Sequence, residues 1–328
     1  LHPGAIDAHA HWVPPALESA LRARRSPPCI EAGSDGVTRL RMPIGGLAFD
    51  GRYGSIPRRL ADMDRLGVQR QILSLPGLFG VDSLPAEQAA PLLRRFNDDL
   101  AALCREHPAR FSGLAALPWM DIAAARAEFE RARGELGLIG AIVPVDSLLS
   151  VAAAQALRPV FALGQRLGAH FFVHPGRGPG SPPLPPAPPD HEIARRALQV
   201  QHDVGQAMVT LLLSDLLDEC PDVSVQVANL GGTFAAVVER MDHMTRLRSP
   251  GAELPSARAG RVWVDCASLG PRALEQAVAV FGAGRVLLGT DCPIFDTGHT
   301  LAAVADARLD EAQRQAILHG NAQAMLGS

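Results

Sequence analysis

The sequence predicts an α/β protein built as a closed (β/α)8 barrel, and three observations carry that expectation. Eight short aliphatic runs recur along the 328 residues, at 5–9, 68–76, 111–117, 138–145, 168–174, 223–229, 261–267 and 285–291. Between most of them lie alanine- and arginine-rich stretches with helical spacing, at 85–107, 121–136, 152–167, 191–220, 232–247 and 271–283. Strands that are apolar throughout belong to a parallel sheet buried on both faces, with helices as the cover. Length is the third observation: such a barrel takes about 250 residues, and insertions account for the rest. Five or six units would favour an open doubly wound sheet, whereas eight favour closure.

Taken in order, the units are interrupted twice. After the first run, residues 22–58 carry Pro27, Pro28, Gly33, Gly36, Gly45, Gly46, Gly51 and Gly54, which predicts a small N-terminal insertion, such as a hairpin. The second, third and fourth runs are followed by the 85–107, 121–136 and 152–167 helices without further interruption. The fifth run, Phe171-Phe172-Val173-His174, opens onto residues 175–190, where eight of sixteen positions are proline. That stretch reads as a stiff polyproline connector, and its place after a strand end also suits a wall or lid over a barrel mouth. Gly176, Gly178 and Gly180 do not make a phosphate loop, because no Lys-Ser/Thr follows. No internal repeat and no linker between two cores is visible, so one domain over 1–328 is expected.

Composition narrows the chemistry. The chain is 47% hydrophobic and 20% charged, a balance for a globular protein rather than a disordered one. Its formal net charge of −3 provides no basic field for nucleic acid or an anionic membrane. All 31 basic residues are arginine. Without lysine there is no Schiff base, no pyridoxal phosphate anchor, no P-loop lysine and no metal pair bridged by a carboxylated lysine. Tyr53 is the sole tyrosine available as an acid or base. Cys29, Cys104, Cys220, Cys266 and Cys292 are odd in number, widely spaced and free of a C-x-x-C pair, so neither a disulfide framework nor a zinc ribbon is implied. No apolar run reaches the roughly 18 residues of a membrane span, and no signal-peptide pattern precedes the first strand. A cytoplasmic location is expected.

The chemistry-bearing residues fall at the C-terminal ends of the predicted strands, where barrel enzymes build their sites. His9 and His11, in Asp7-Ala8-His9-Ala10-His11, are two apart on a strand and project to the same side. His174 closes the fifth run. Asp291 closes the eighth, after Val286-Leu287-Leu288-Gly289-Thr290, where a bare carboxylate is too costly to bury. Three imidazoles and a carboxylate suit one divalent ion with positions left for water or substrate. Zn²⁺ is the expected ion, with Mn²⁺ the alternative.

With these motifs in view the sequence resembles the amidohydrolase superfamily, in the branch of aminocarboxymuconate-semialdehyde and resorcylate-type decarboxylases. The resemblance runs from I-D-A-H-A-H through H-P, L-L-S-D-L-L-D-E-C-P-D-V, N-L-G-G-T-F, R-M-D and W-V-D to R-V-L-L-G-T-D-C-P and I-L-H-G-N-A. It implies a distorted TIM (β/α)8 barrel with a small insertion near the N-terminus, and it places His9, His11, His174 and Asp291 on the metal ligands. It also implies substrate arginines at Arg240 and, by a looser alignment, Arg52, with Arg240 reaching into the neighbouring subunit of a homodimer. A helix-surface ion pair with Glu239 or Asp242 is the competing expectation for Arg240. Where such enzymes carry a basic histidine before paired glycines, this chain has Asn229, and Asp218 stands where a glutamate is usual. An amide orients water or substrate but accepts no proton at working pH. His202, His299 and His319 carry no assigned role.

The resulting expectation is a metal-dependent nonoxidative decarboxylase acting on a small carboxylated aromatic or ring-opened substrate, with Asp291 and Asn229 as its catalytic residues. The alternative is a hydrolase or hydratase using metal-bound water. A third possibility is a non-catalytic barrel that binds a ligand.

Overall fold

The computed structural model describes residues 4–327, so residues 1–3 and 328 of the expected 1–328 domain lie outside the described residues. Strand β1 (Ala5–His11) opens the chain, and helix α1 (Pro15–Ala23) follows. A three-stranded antiparallel sheet then occupies the predicted insertion: β2 (Cys29–Ala32), β3 (Thr38–Arg41) and β4 (Gly46–Ala48). It has one strand more than a hairpin because the chain reverses at Gly36 and again at Gly45, both at positive φ.

The barrel resumes with α2 (Ile56–Leu66), β5 (Val68–Ser74), α3 (Ala86–Glu106), β6 (Phe111–Ala115), α4 (Ile122–Gly134) and β7 (Gly140–Pro144). Next come α5 (Val151–Ala154), α6 (Arg158–Leu167), β8 (His170–His174), α7 (Glu192–Leu213), β9 (Ser224–Val227) and α8 (Phe234–Arg248). The last unit holds β10 (Trp263–Asp265), α9 (Pro271–Phe281), β11 (Val286–Leu287), α10 (Thr297–Asp306), α11 (Glu311–Gln315) and α12 (Asn321–Leu326). Helix ends follow local chemistry. Ser55 caps α2 by accepting from Arg58 N, and Asp121 and Asp296 do the same for α4 and α10. The helix expected over 191–220 stops at Leu213, and residues 214–219 form turns instead.

Sheet order is β1-β5-β6-β7-β8-β9-β10-β11, all parallel and in chain order, which makes this a (β/α)8 barrel as the sequence predicts. Closure comes at the seam between the last strand and the first. Ala8 N donates to Leu288 O at 2.8 Å, Thr290 N and Asp291 N both donate to His9 O, and His11 N donates to Cys292 O at 2.7 Å. Every residue of β1, β7 and β8 is buried, as a strand covered on both faces requires. Outside the strands the rings pack in layers, with Phe171 stacked on Phe161 at 4.5 Å and Phe129 beside it.

At the C-terminal mouth the loop after β5 crosses to the loop after β8. A Cβ on Gly77 would stand 3.0 Å from Gly176 Cα, so both glycines permit that contact. The proline-rich segment is buried at its start, at Pro175 and Gly176, and exposed over residues 182–187. No described helix is long and apolar enough to cross a membrane.

Gly140 tests the barrel packing. A Cβ there would lie 1.6 Å from the His170 carbonyl oxygen of the paired strand. Gly140→Ala must therefore push β7 from β8, and a loss of about 3 kcal/mol is expected in denaturant unfolding, at the upper end of usual overpacking costs.

Candidate metal centre

Four side chains from three strand ends converge inside the barrel mouth. His9 and His11 come from β1, His174 from the end of β8, and Asp291 from the turn just beyond β11. All four are buried, and one donor atom from each lies within 4.8 Å of the others. The three imidazole centroids are 4.8–5.0 Å apart. Asp291 has φ 57°, and this left-handed turn swings its carboxylate back over β1. Its Oδ1 reaches His11 Nε2 at 3.0 Å and His9 Nε2 at 3.6 Å.

The outer ring nitrogens are already engaged. His9 Nδ1 meets Asp265 Oδ1 at 3.0 Å, His11 Nδ1 meets Ser74 Oγ at 3.0 Å, and His174 Nδ1 donates to Pro175 O at 2.9 Å. Each ring thus keeps Nε2 for the interior, which is the arrangement metal-bound histidines adopt. Inside, His9 Nε2 and His11 Nε2 face each other at 3.2 Å. Two ring nitrogens and a carboxylate oxygen pressed together this closely, in a buried pocket, are what a shared cation stabilises. The residues fit a single divalent metal ion.

Electrostatics point the same way. Burial disfavours a charged ring on His9, but the carboxylates Asp265 and Asp291 outweigh it and raise its pKa to about 9. Burial, together with the charge on its neighbours, holds His11 and His174 well below the ordinary histidine value, so both are neutral donors. Burial raises the Asp291 pKa, with the neighbouring histidines opposing the shift.

The remaining expected residues sit apart from these four or around them. Asn229 follows β9 in a short turn, at φ 56°, which asparagine tolerates better than most side chains. It is 7% exposed, and its Oδ1 has no hydrogen-bond partner. Arg52 lies at the end of the insertion, half-exposed and paired with Asp50 at 3.0 Å. Arg240 is exposed on α8, and among the described residues it forms an ion pair with neither Glu239 nor Asp242. Asp242 instead accepts from Ser256 Oγ at 2.6 Å and Ser256 N at 3.1 Å. Asp218 is on the outside, paired with Arg258. Sequence reasoning assigned no role to Ser74, Gln226 or Asp265. The last had a signal: a carboxylate closing the buried strand in Trp263-Val264-Asp265.

Residues 6–328 match the family model described as Amidohydrolase. A 2-amino-3-carboxymuconate-6-semialdehyde decarboxylase from Dictyostelium discoideum is 27% identical over 98% of this chain and 91% of its own. A gamma-resorcylate decarboxylase from Rhodococcus jostii is 30% identical over 80% of this chain and 85% of its own. The crystal structure of a 5-carboxyvanillate decarboxylase from Novosphingobium aromaticivorans, with bound manganese, superposes with a TM-score of 0.77. It is 19% identical and covers 100% of both chains.

Two outcomes are expected. Protein purified without chelator should hold about one divalent ion per chain, and His9→Ala or His174→Ala should lose most of it on elemental analysis, because each removes a donor from the set. In chelator-stripped protein, the folded pKa of His9 is raised above its unfolded value of 6.5. The stability it contributes is then fully present below pH 6.5 and lost as pH rises through about 9, read as a falling denaturation midpoint.

Proposed function

The chain belongs to the amidohydrolase family, and from that premise we propose that it is a metal-dependent nonoxidative decarboxylase of a small aromatic or ring-opened carboxylate. Relatives named for both kinds of acid support the substrate class. Asn229 carries the choice of reaction. Its buried amide cannot take a proton from water, so hydrolysis or hydration would have to rely on Asp291 alone as base. Decarboxylation requires a proton to be delivered, and Asp291 is the group placed to do so.

In this reading His9, His11, His174 and Asp291 hold the ion. Zn²⁺ suits three imidazoles and a carboxylate, and Mn²⁺ is the alternative that a manganese-bound neighbour supports. When bound, the ion neutralises substrate oxygens and stabilises negative charge developing there, worth several kcal/mol. Asp291, buried beside the three imidazoles, delivers a proton to the carbon that bears the carboxylate. The bond to the carboxylate carbon then breaks, its electron pair returns to the conjugated system, and CO₂ leaves. Asn229 orients a substrate oxygen through its unpartnered amide. Arg52 supplies a cation at the mouth, exchanging Asp50 for a substrate carboxylate. The whole chain, insertion and proline-rich loop included, serves this one site, in the cytoplasm.

Arg240 enters through a homodimer. On α8 the residues Val237, Arg240, Met241, Met244 and Leu247 follow helical spacing along one face. Val237, Met244 and Leu247 are 42%, 40% and 60% exposed. Arg240 therefore projects from an apolar stripe suited to a second copy, where its guanidinium fork can grip a carboxylate in the partner's site.

Metal-loaded protein offered a panel of hydroxylated benzoates should release CO₂. Solvent ¹⁸O appearing in the product without CO₂ would transfer the reading to hydrolysis. Asn229→Ala should lower turnover by less than about 100-fold, since it removes orientation rather than a general base, while Asn229→His should raise any hydrolytic side reaction. Mixing inactive Arg240→Ala with inactive Asp291→Ala chains should restore partial activity through hybrid dimers. Failure of the mixture to recover would place Arg240 outside its partner's site.

A further inference from the structure

Asp265 ends β10, is fully buried, and touches both a proposed metal donor and the Asn229 backbone. Strand β11 lies between β10 and β1 in the sheet, so Asp265 must reach past it to meet His9. Gly289, just after β11, makes that possible. A Cβ there would stand 2.8 Å from the Cβ atoms of both Asp265 and His9. The missing side chain leaves the gap through which the carboxylate crosses.

Both carboxylate oxygens are occupied by donors. Oδ1 meets His9 Nδ1 at 3.0 Å and accepts from Ala267 N at 3.2 Å and Asn229 N at 3.4 Å. Oδ2 accepts from Gln226 Nε2 at 2.7 Å. Gln226 is itself held, donating to Ala8 O at 3.2 Å and meeting His170 Nε2 through Oε1 at 3.3 Å. His170 Nδ1 in turn meets Ser224 Oγ at 2.9 Å. A carboxylate so surrounded only accepts, so the proton between it and His9 resides on Nδ1.

We propose that Asp265 is a positioning residue: it holds His9 with Nδ1–H turned outward and Nε2 turned toward His11 and Asp291, and it clamps the Asn229 backbone in the same grip. Gln226 sets the orientation of the carboxylate, and Gly289 admits it. Asp265 touches no substrate and acts through His9 and Asn229. The consequence for metal affinity rests on the ligand reading above; the consequence for ring orientation does not.

The test compares wild type, Asp265→Asn and Ser224→Ala, whose altered hydroxyl lies at the far end of the same chain of contacts. Mn²⁺ dissociation constants are measured by calorimetry on stripped protein, and the metal-free proteins are crystallised. Asp265→Asn should bind Mn²⁺ about 10–100-fold more weakly, the usual cost of losing such an outer partner. In its metal-free crystals the His9 ring should leave the orientation seen in wild type. Ser224→Ala should lower thermal stability and leave both readouts unchanged. Gln226→Met repeats the comparison in a chain that keeps the carboxylate but loses the donor to Oδ2, and is expected to shift both in the same direction. Affinity equal to wild type in folded Asp265→Asn, or an equal loss in Ser224→Ala, would overturn the proposal. A wild type that binds no Mn²⁺, yet keeps His9 on Asp265 in a way the variant does not, would overturn the ligand reading alone.

Discussion

The seam between the first and last barrel strands does two jobs with one set of hydrogen bonds. Thr290 N and Asp291 N share the His9 carbonyl, and Asp7 binds the other side of the same turn, accepting from Thr290 N at 3.0 Å and Thr290 Oγ1 at 2.7 Å. Asp7 also accepts from Gln71 Nε2 at 2.9 Å, which ties the second barrel strand to the first. These contacts close the cylinder. They also set Asp291 in its left-handed turn directly over His9 and His11. Closure of the fold and assembly of the candidate site are therefore one event, and neither is available to an open sheet.

Placing so many polar groups in an apolar cylinder is expensive, because each buried ion forfeits several kcal/mol of hydration unless partners replace the water. The structure answers with layers of acceptors and donors. Asp7, Asp265, Gln71 and Gln226 lie 0–2% exposed below the mouth. The guanidinium of Arg59 reaches in from α2 to Gln71 Oε1 at 2.9 Å and to the His11 carbonyl. Every ring of the candidate centre has its outer nitrogen engaged, which leaves the Nε2 atoms of His9 and His11 beside Asp291, and the buried Asn229 amide oxygen has no hydrogen-bond partner.

Farther out the constraints relax. Arg52 on the insertion and Arg240 on α8 are both exposed. Arg52 shares its charge with Asp50 in solvent, where such a pair contributes little to stability and exchanges readily.

The sequence by itself determined the barrel, because eight apolar runs separated by helices leave a parallel sheet few other ways to bury both faces. It also located His9, His11, His174 and Asp291, since alternation along a strand and position at a strand end can be read from spacing alone. It did not reveal Asp265, Gln226 or Ser74 as partners of those residues. Asp265 is 256 residues from His9 in the chain, and whether the two meet depends on Gly289 leaving a gap just beyond the strand between them. The fate of Arg240 was equally undecided, because Asp242 could pair with it or, as it does, turn to Ser256. Local spacing fixes which way a side chain leaves its own strand or helix. Which distant group it meets is decided only when the cylinder closes and the strands take their register, and that is where the tertiary structure adds what the sequence lacks.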